Sequence, residues 1–246
     1  MNEDIFDEIV VLKDRNVTED NLRFFLESYF PSRLRESPKS RFLFAYSGHG
    51  MSEGPKDHSV GYLLTSSANS FDDKLNSINM SVLRTYIEGV VDVVYQTLVL
   101  INASHSGSLF SRQFSINGAT VSGGALNLSF GGAHAITAGT SSQQAWADPR
   151  LGKGSVFFET LLAGLHGEAD AYPIFPDGTR GDGFITVDEI ATYLKEEVSW
   201  ETNGVEIPVL SDLAPEGSLG GFFFINRQRL RVPSGWRQTE PFSIVR

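Results

Sequence analysis

Phe42-Leu43-Phe44-Ala45-Tyr46-Ser47-Gly48-His49-Gly50 and Leu98-Val99-Leu100-Ile101-Asn102-Ala103-Ser104-His105-Ser106-Gly107 are the stretches whose reading decides the fold. Each begins with an apolar run of strand type and closes on small residues and glycines around a histidine or a serine. Continuous apolar runs suit strands buried on both faces, and open α/β sheets place their sites just beyond the carboxyl ends of such strands. The two stretches therefore predict buried strands that end at a reactive histidine and a reactive small residue.

Working outward, Thr18 is placed to cap a helix with the apolar stripe Leu22, Phe25, Leu26 and Tyr29, and Pro31 is expected to end it. Ile9 to Leu12, before that helix, reads as a buried strand. Leu83, Tyr86, Ile87 and Val90 mark a second helix, and Phe158, Leu161, Leu162 and Leu165, before Gly167, a third. Thr186-Val187-Asp188-Glu189 has the form of a capping box opening a fourth, with Ile190, Tyr193 and Leu194 inward. Strands expected at 9–12, 42–46, 98–102, 134–138 and 221–225 alternate with these helices. That order predicts an α/β fold, a mostly parallel central sheet with helices on both faces.

The chain has 246 residues, 41% of them hydrophobic, enough for one sizeable core. Twenty Lys+Arg against 30 Asp+Glu give a net charge of −10, which argues against nucleic acid or an anionic membrane as partner. No stretch approaches the roughly 18 apolar residues of a membrane span, and Met1-Asn2-Glu3-Asp4 is not a signal peptide, so the expected location is cytoplasmic. Cysteine is absent, which removes disulfides, thiolate zinc sites and any thiol nucleophile. No histidine pair has metal-ligand spacing, and the Asp177–Glu189 stretch places Gly178 and Arg180 where a calcium loop needs carboxylates. Neither a metal nor any other cofactor is expected. The Gly-, Ser- and Asn-rich run between Ser106 and Gly132 reads as a long mobile loop, either a lid or processing site or a plain flexible insertion. Arg227, Arg229 and Arg231 read as one solvated face of an edge strand.

The two loops resemble those of the caspase, metacaspase and paracaspase family of cysteine peptidases, in which a Ser-Gly-His-Gly loop supplies the base and an Asp-Ala-Cys-His-Ser-Gly loop the nucleophile. Ala135-Ile136-Thr137-Ala138, Gln143-Gln144-Ala145-Trp146, Gly154-Ser155-Val156-Phe157 and Gly183 to Glu189 resemble later elements of the family in the same order. The resemblance covers about residues 40–225 and implies a caspase-like peptidase domain at 1–226, with a C-terminal extension at 227–246. It implies His49 as general base, position 104 as nucleophile, the Gly50 amide as part of the oxyanion hole, and Ser47 and Asn102 as walls of the substrate pocket.

Three departures accompany it. Ser104 stands where the family has cysteine, engineered or natural, which implies a protein-cleaving enzyme inactive as written; the alternative is a natural pseudopeptidase that only binds a partner. Asn102 replaces the metacaspase acid two residues before the nucleophile and removes the charge that selects Arg or Lys. The family's first strand lies centrally in its sheet, whereas this sequence opens near the second. The resemblance therefore implies completion by a separate N-terminal segment or fused domain, or a rearranged sheet edge. A serine hydrolase is disfavoured, because Ser104 and Ser106 lack the glycines of a nucleophile elbow. His105 is expected to support its loop rather than to react, and Asp72-Asp73 to be a solvated acid pair in a turn.

Overall fold

The computed structural model describes residues 6–37, 39–55, 59–110, 131–143, 154–171, 174, 178, 180–213 and 220–226. The expectations for the centre of the 106–132 loop, for 144–146 and for the arginine-bearing tail lie outside these residues.

The central sheet has the order β1-β5-β6-β8. β1 (Arg41–Ser47), β5 (Gln96–Asn102) and β6 (Gly132–Thr137) pair in parallel, and β8 (Val209–Asp212) closes the far edge antiparallel to β6. Every residue of β5 is buried, as its unbroken apolar run requires of a central strand. Its side chains divide between two clusters. Val99 and Ile101 join Phe42 and Tyr46 beneath the first helix and α3 (Met80–Val91). Leu98 and Leu100 meet Ile136 and Phe157 beneath α4 (Val156–Ala163) and α5 (Val187–Glu201). The expected mostly parallel sheet with helices on both faces is present.

The Thr18 hydroxyl accepts the Asn21 amide at 3.2 Å, as expected, but the helix does not stop at Pro31. It starts as α1 (Glu19–Arg23), widens to π geometry over Phe24–Tyr29 and continues as α2 (Phe30–Leu34). Pro31 lacks the amide that a regular turn would need, and the π register before it absorbs that missing bond. On α4 the buried face centres on Phe157 and Leu161 while Leu162 is exposed, because Val156 and Phe157 take the core positions. α5 opens on the expected box, with the Glu189 amide donating to Thr186 and the Glu189 carboxylate accepting the Thr186 amide.

Two strand expectations are corrected. Residues 9–12 form no strand: Ile9 is 66% and Val11 63% exposed, and only Leu12 packs on the core. An apolar run becomes a strand only where a neighbour supplies its hydrogen bonds, and among the described residues none reaches it. The segment near 221–225 contributes β9 (Phe223–Ile225), which pairs with β7 (Phe184–Thr186) outside the central sheet. A further antiparallel sheet, β2 (Gly50–Glu53), β3 (Val60–Leu64) and β4 (Ser77–Asn79), follows β1 directly. Among the described residues no helix is long and apolar enough to cross a membrane.

Candidate active site

β1 and β5 run in register from Arg41 against Gln96 to Ser47 against Asn102, so their carboxyl ends finish together. The Gly48 amide donates to the Asn102 carbonyl at 3.1 Å, extending the pairing one step beyond the strands. The histidine loop and the serine loop thus leave the sheet side by side.

The backbone of the histidine loop is held from below. The Leu64 amide donates to the His49 carbonyl at 3.0 Å, and the buried Tyr46 hydroxyl donates to the Leu64 carbonyl at 2.8 Å, with the His49 carbonyl at 3.4 Å. Burial pushes the Tyr46 hydroxyl up to about 12, so it remains a donor through the physiological range. The same hydroxyl explains Gly48, where a Cβ would stand 2.6 Å from it.

Gly50 is required by the other loop. A Cβ there would meet the Ser104 carbonyl oxygen at 2.0 Å and the Ala103 side chain at 3.3 Å. The glycine permits direct contact between the two loops. Because residues 49 and 64 form a hydrogen-bonded antiparallel pair, the next pair, Gly50 with Leu63, is of the non-bonded kind. The Gly50 amide consequently faces away from β3.

Ser104 lies in a tight turn from strand to 3₁₀-helix. The Ser106 amide donates to the Ala103 carbonyl at 3.3 Å, and the helical turn Ser106–Phe110 follows. His105 adopts φ 60, the left-handed region that costs a non-glycine residue on the order of 1 kcal/mol. Its contacts offset that strain. The His105 amide donates to the Gln143 carbonyl at 2.7 Å, and Nδ1 donates to the Ser141 carbonyl at 2.8 Å with the Ser52 hydroxyl at 3.2 Å. These are the contacts of a loop support, the role expected of it.

Asn102 is 6% exposed, and its Nδ2 donates to the Ser47 hydroxyl at 3.4 Å. Its Oδ1 is buried with no hydrogen-bond partner among the described residues. Of the remaining histidines, His134 reaches the Gly220 carbonyl at 3.1 Å, and His166 sits exposed past α4. Among the described residues no group of three or more His, Asp or Glu side chains is placed to hold a metal.

Sequence reasoning missed Phe71. Its ring stands edge-on to the His49 imidazole, centroids 5.0 Å apart and planes at 83°. The only signal was a lone aromatic in the polar run Ser66 to Asp73. Asp73 is likewise more than a solvated acid: its carboxylate accepts the Asn69 amide at 2.9 Å, the Asn69 side chain at 3.0 Å and the Asn76 side chain at 2.9 Å. The Asn69 amide first, with Asn76, holds this carboxyl down at about 2. A depressed carboxyl braces the loop fully above its ordinary range near pH 4, and the brace is lost as pH falls toward 2.

Together these features define an α/β protein with a histidine loop and a serine-bearing turn in contact at the carboxyl ends of adjacent parallel strands. No family model matches the chain, and no curated protein does. Among solved structures the chain is similar to caspase-1 from Spodoptera frugiperda, at 12% identity and a TM-score of 0.48, over 80% of this chain and 70% of that one. That likeness assigns no residue a role.

Proposed function

We propose that this chain is a caspase-like cysteine endopeptidase domain of the metacaspase-related type, with serine at the nucleophile position and therefore inactive or nearly so as written. The observation that carries the reading is the contact of Gly50 with the Ser104 carbonyl, which joins the two family-like loops into one site. In a cysteine form, His49 takes the thiol proton, and the thiolate attacks the scissile carbonyl. The amides of Gly50 and residue 104 stabilise the oxyanion, and the imidazolium returns the proton to the leaving amine. Water then hydrolyses the acyl-enzyme by the same base. A thiol with its ordinary pKa of about 8.5 needs little help from that base, whereas a serine hydroxyl needs much more. Among the described residues no carboxylate hydrogen-bonds the His49 ring to strengthen it. The test is a proteome digest with Ser104→Cys, counting new protein N-termini against the serine chain. Many new termini support the peptidase; none, with tight capture of one partner by the serine chain, favours the pseudopeptidase.

Asn102 and Ser47 form the proposed neutral pocket wall. A carboxylate facing a substrate guanidinium contributes about 1.5–3 kcal/mol, and an amide less. In the Ser104→Cys background, Asn102→Asp is expected to raise selection for Arg over uncharged residues by about tenfold or more in a positional peptide library. No change would remove Asn102 from the pocket.

Strand β1 carries apolar side chains toward both clusters, yet it pairs only with β5 among the described residues. Its open edge is the place where a separate N-terminal segment would add a strand. Hydrogen exchange at Phe42 to Tyr46 is expected to slow when such a segment is supplied in cis; unchanged exchange removes the idea.

A further inference from the structure

We propose that Phe71 is the positioning residue of His49, fixing the orientation of an imidazole that has no hydrogen bond to hold it among the described residues. The inference rests on the reading of His49 as base and adds the group that orients it. A catalytic imidazole is ordinarily fixed by a hydrogen bond at its second nitrogen. Here the His49 backbone is fixed by Leu64 and Tyr46, while its ring makes no hydrogen bond among the described residues. The ring packs instead against Phe71, at an edge-on geometry typical of attractive aromatic pairs.

Phe71 is itself 69% exposed, so the core does not account for its place. Its loop accounts for it. The Ser70 hydroxyl donates to Asp72 at 2.6 Å, and Asp73 collects Asn69 and Asn76 on either side. The chain is thereby pinned immediately before and after Phe71, and the ring is presented to His49. A braced polar loop that carries one large exposed aromatic onto the base provides orientation without a third polar group.

The test uses iodoacetamide on the intact chain carrying Ser104→Cys, with the alkylation rate of the introduced thiol read by mass spectrometry. At neutral pH the rate reports the thiolate fraction that His49 supports; above the thiol's own pKa it reports access alone. An aromatic pair is worth about 0.5–1.5 kcal/mol, so Phe71→Ala is expected to slow the neutral-pH rate about twofold to tenfold. The high-pH rate is expected to stay unchanged, and Phe71→Tyr to restore the neutral rate. Asp73→Ala, which frees the loop and keeps the ring, is expected to give a smaller loss of the same kind. A neutral-pH rate indifferent to Phe71→Ala, with His49→Ala clearly slower, overturns the role of Phe71 and leaves the base in place. A rate indifferent to His49→Ala removes the base and the positioning role together. Equal slowing at both pH values would mean that Phe71 governs access, and would also overturn the proposal.

Discussion

Replacing Ser104 with cysteine is expected to raise peptide-bond hydrolysis by about 10⁴-fold or more, the scale on which removing a peptidase nucleophile lowers it. The change is one atom, oxygen to sulfur, in a turn already shaped for it: Ala103 is buried in the core, His105 is pinned by Ser141 and Gln143, and the 3₁₀-turn at Ser106 follows. The fold is therefore expected to be unaltered and the gain to be chemical. Iodoacetamide is expected to abolish it, because the activity resides in a single thiol in a chain that otherwise has none. Adding His49→Ala is expected to return activity to the serine level with little change in melting temperature, since the His49 side chain is exposed and outside the core. A cysteine variant as active without His49 as with it would remove the histidine from the mechanism.

Gly50→Ala in the same background is expected to be strongly damaging to activity. The new carbon would stand 2.0 Å from the Ser104 carbonyl oxygen, and this is backbone, which cannot rotate aside. Restoring ordinary contact requires the two loops to separate by about 1 Å or more, and a displacement of that size at reacting groups costs about 10²-fold in rate. Overpacking of this kind also destabilises by about 1–3 kcal/mol, equivalent to a fall in Tm of about 2–12 °C for a chain this long. Gly89→Ala is the control. Nothing stands within 4 Å of its added carbon, and in the last turn of α3 alanine is expected to be neutral or stabilising. Kinetics and thermal melts of the two variants decide the matter; a Gly50→Ala protein with full activity and unchanged Tm would contradict the loop contact.

The sequence disclosed the parts of the sheet that are buried on both sides. Phe42 to Tyr46, Leu98 to Asn102 and Ala135 to Thr137 have apolar side chains for two clusters at once, and a strand is the element that distributes them so. Ile9 to Leu12 has the same composition and is no strand, because composition carries no information about whether a neighbour is present to bond. β2 and β4, Gly50-Met51-Ser52-Glu53 and Ser77-Ile78-Asn79, are too short and polar to carry a periodic signal, though they position the histidine loop. At the site, Ser47 and Asn102 meet because their strands pair in register, which no feature of either loop alone shows. The contact that requires Gly50 was not legible: the oxyanion-hole amide expected of it comes from the resemblance, whereas the contact with Ser104 depends on how two loops pack. Phe71 was invisible for the same reason: its meaning lies in the path of the Asp73-braced loop.

The catalytic assignment requires that His49, the Gly50 amide and residue 104 act on one substrate carbonyl. The most direct measurement is a crystal structure of Ser104→Cys after reaction with a peptidyl chloromethyl ketone. The expected structure has a thioether at residue 104, the inhibitor's carbonyl oxygen within hydrogen-bond distance of the Gly50 amide, and its peptide running past Ser47 and Asn102. An unreacted thiol, or an inhibitor held with its carbonyl turned away from Gly50 and its peptide clear of Asn102, would contradict it.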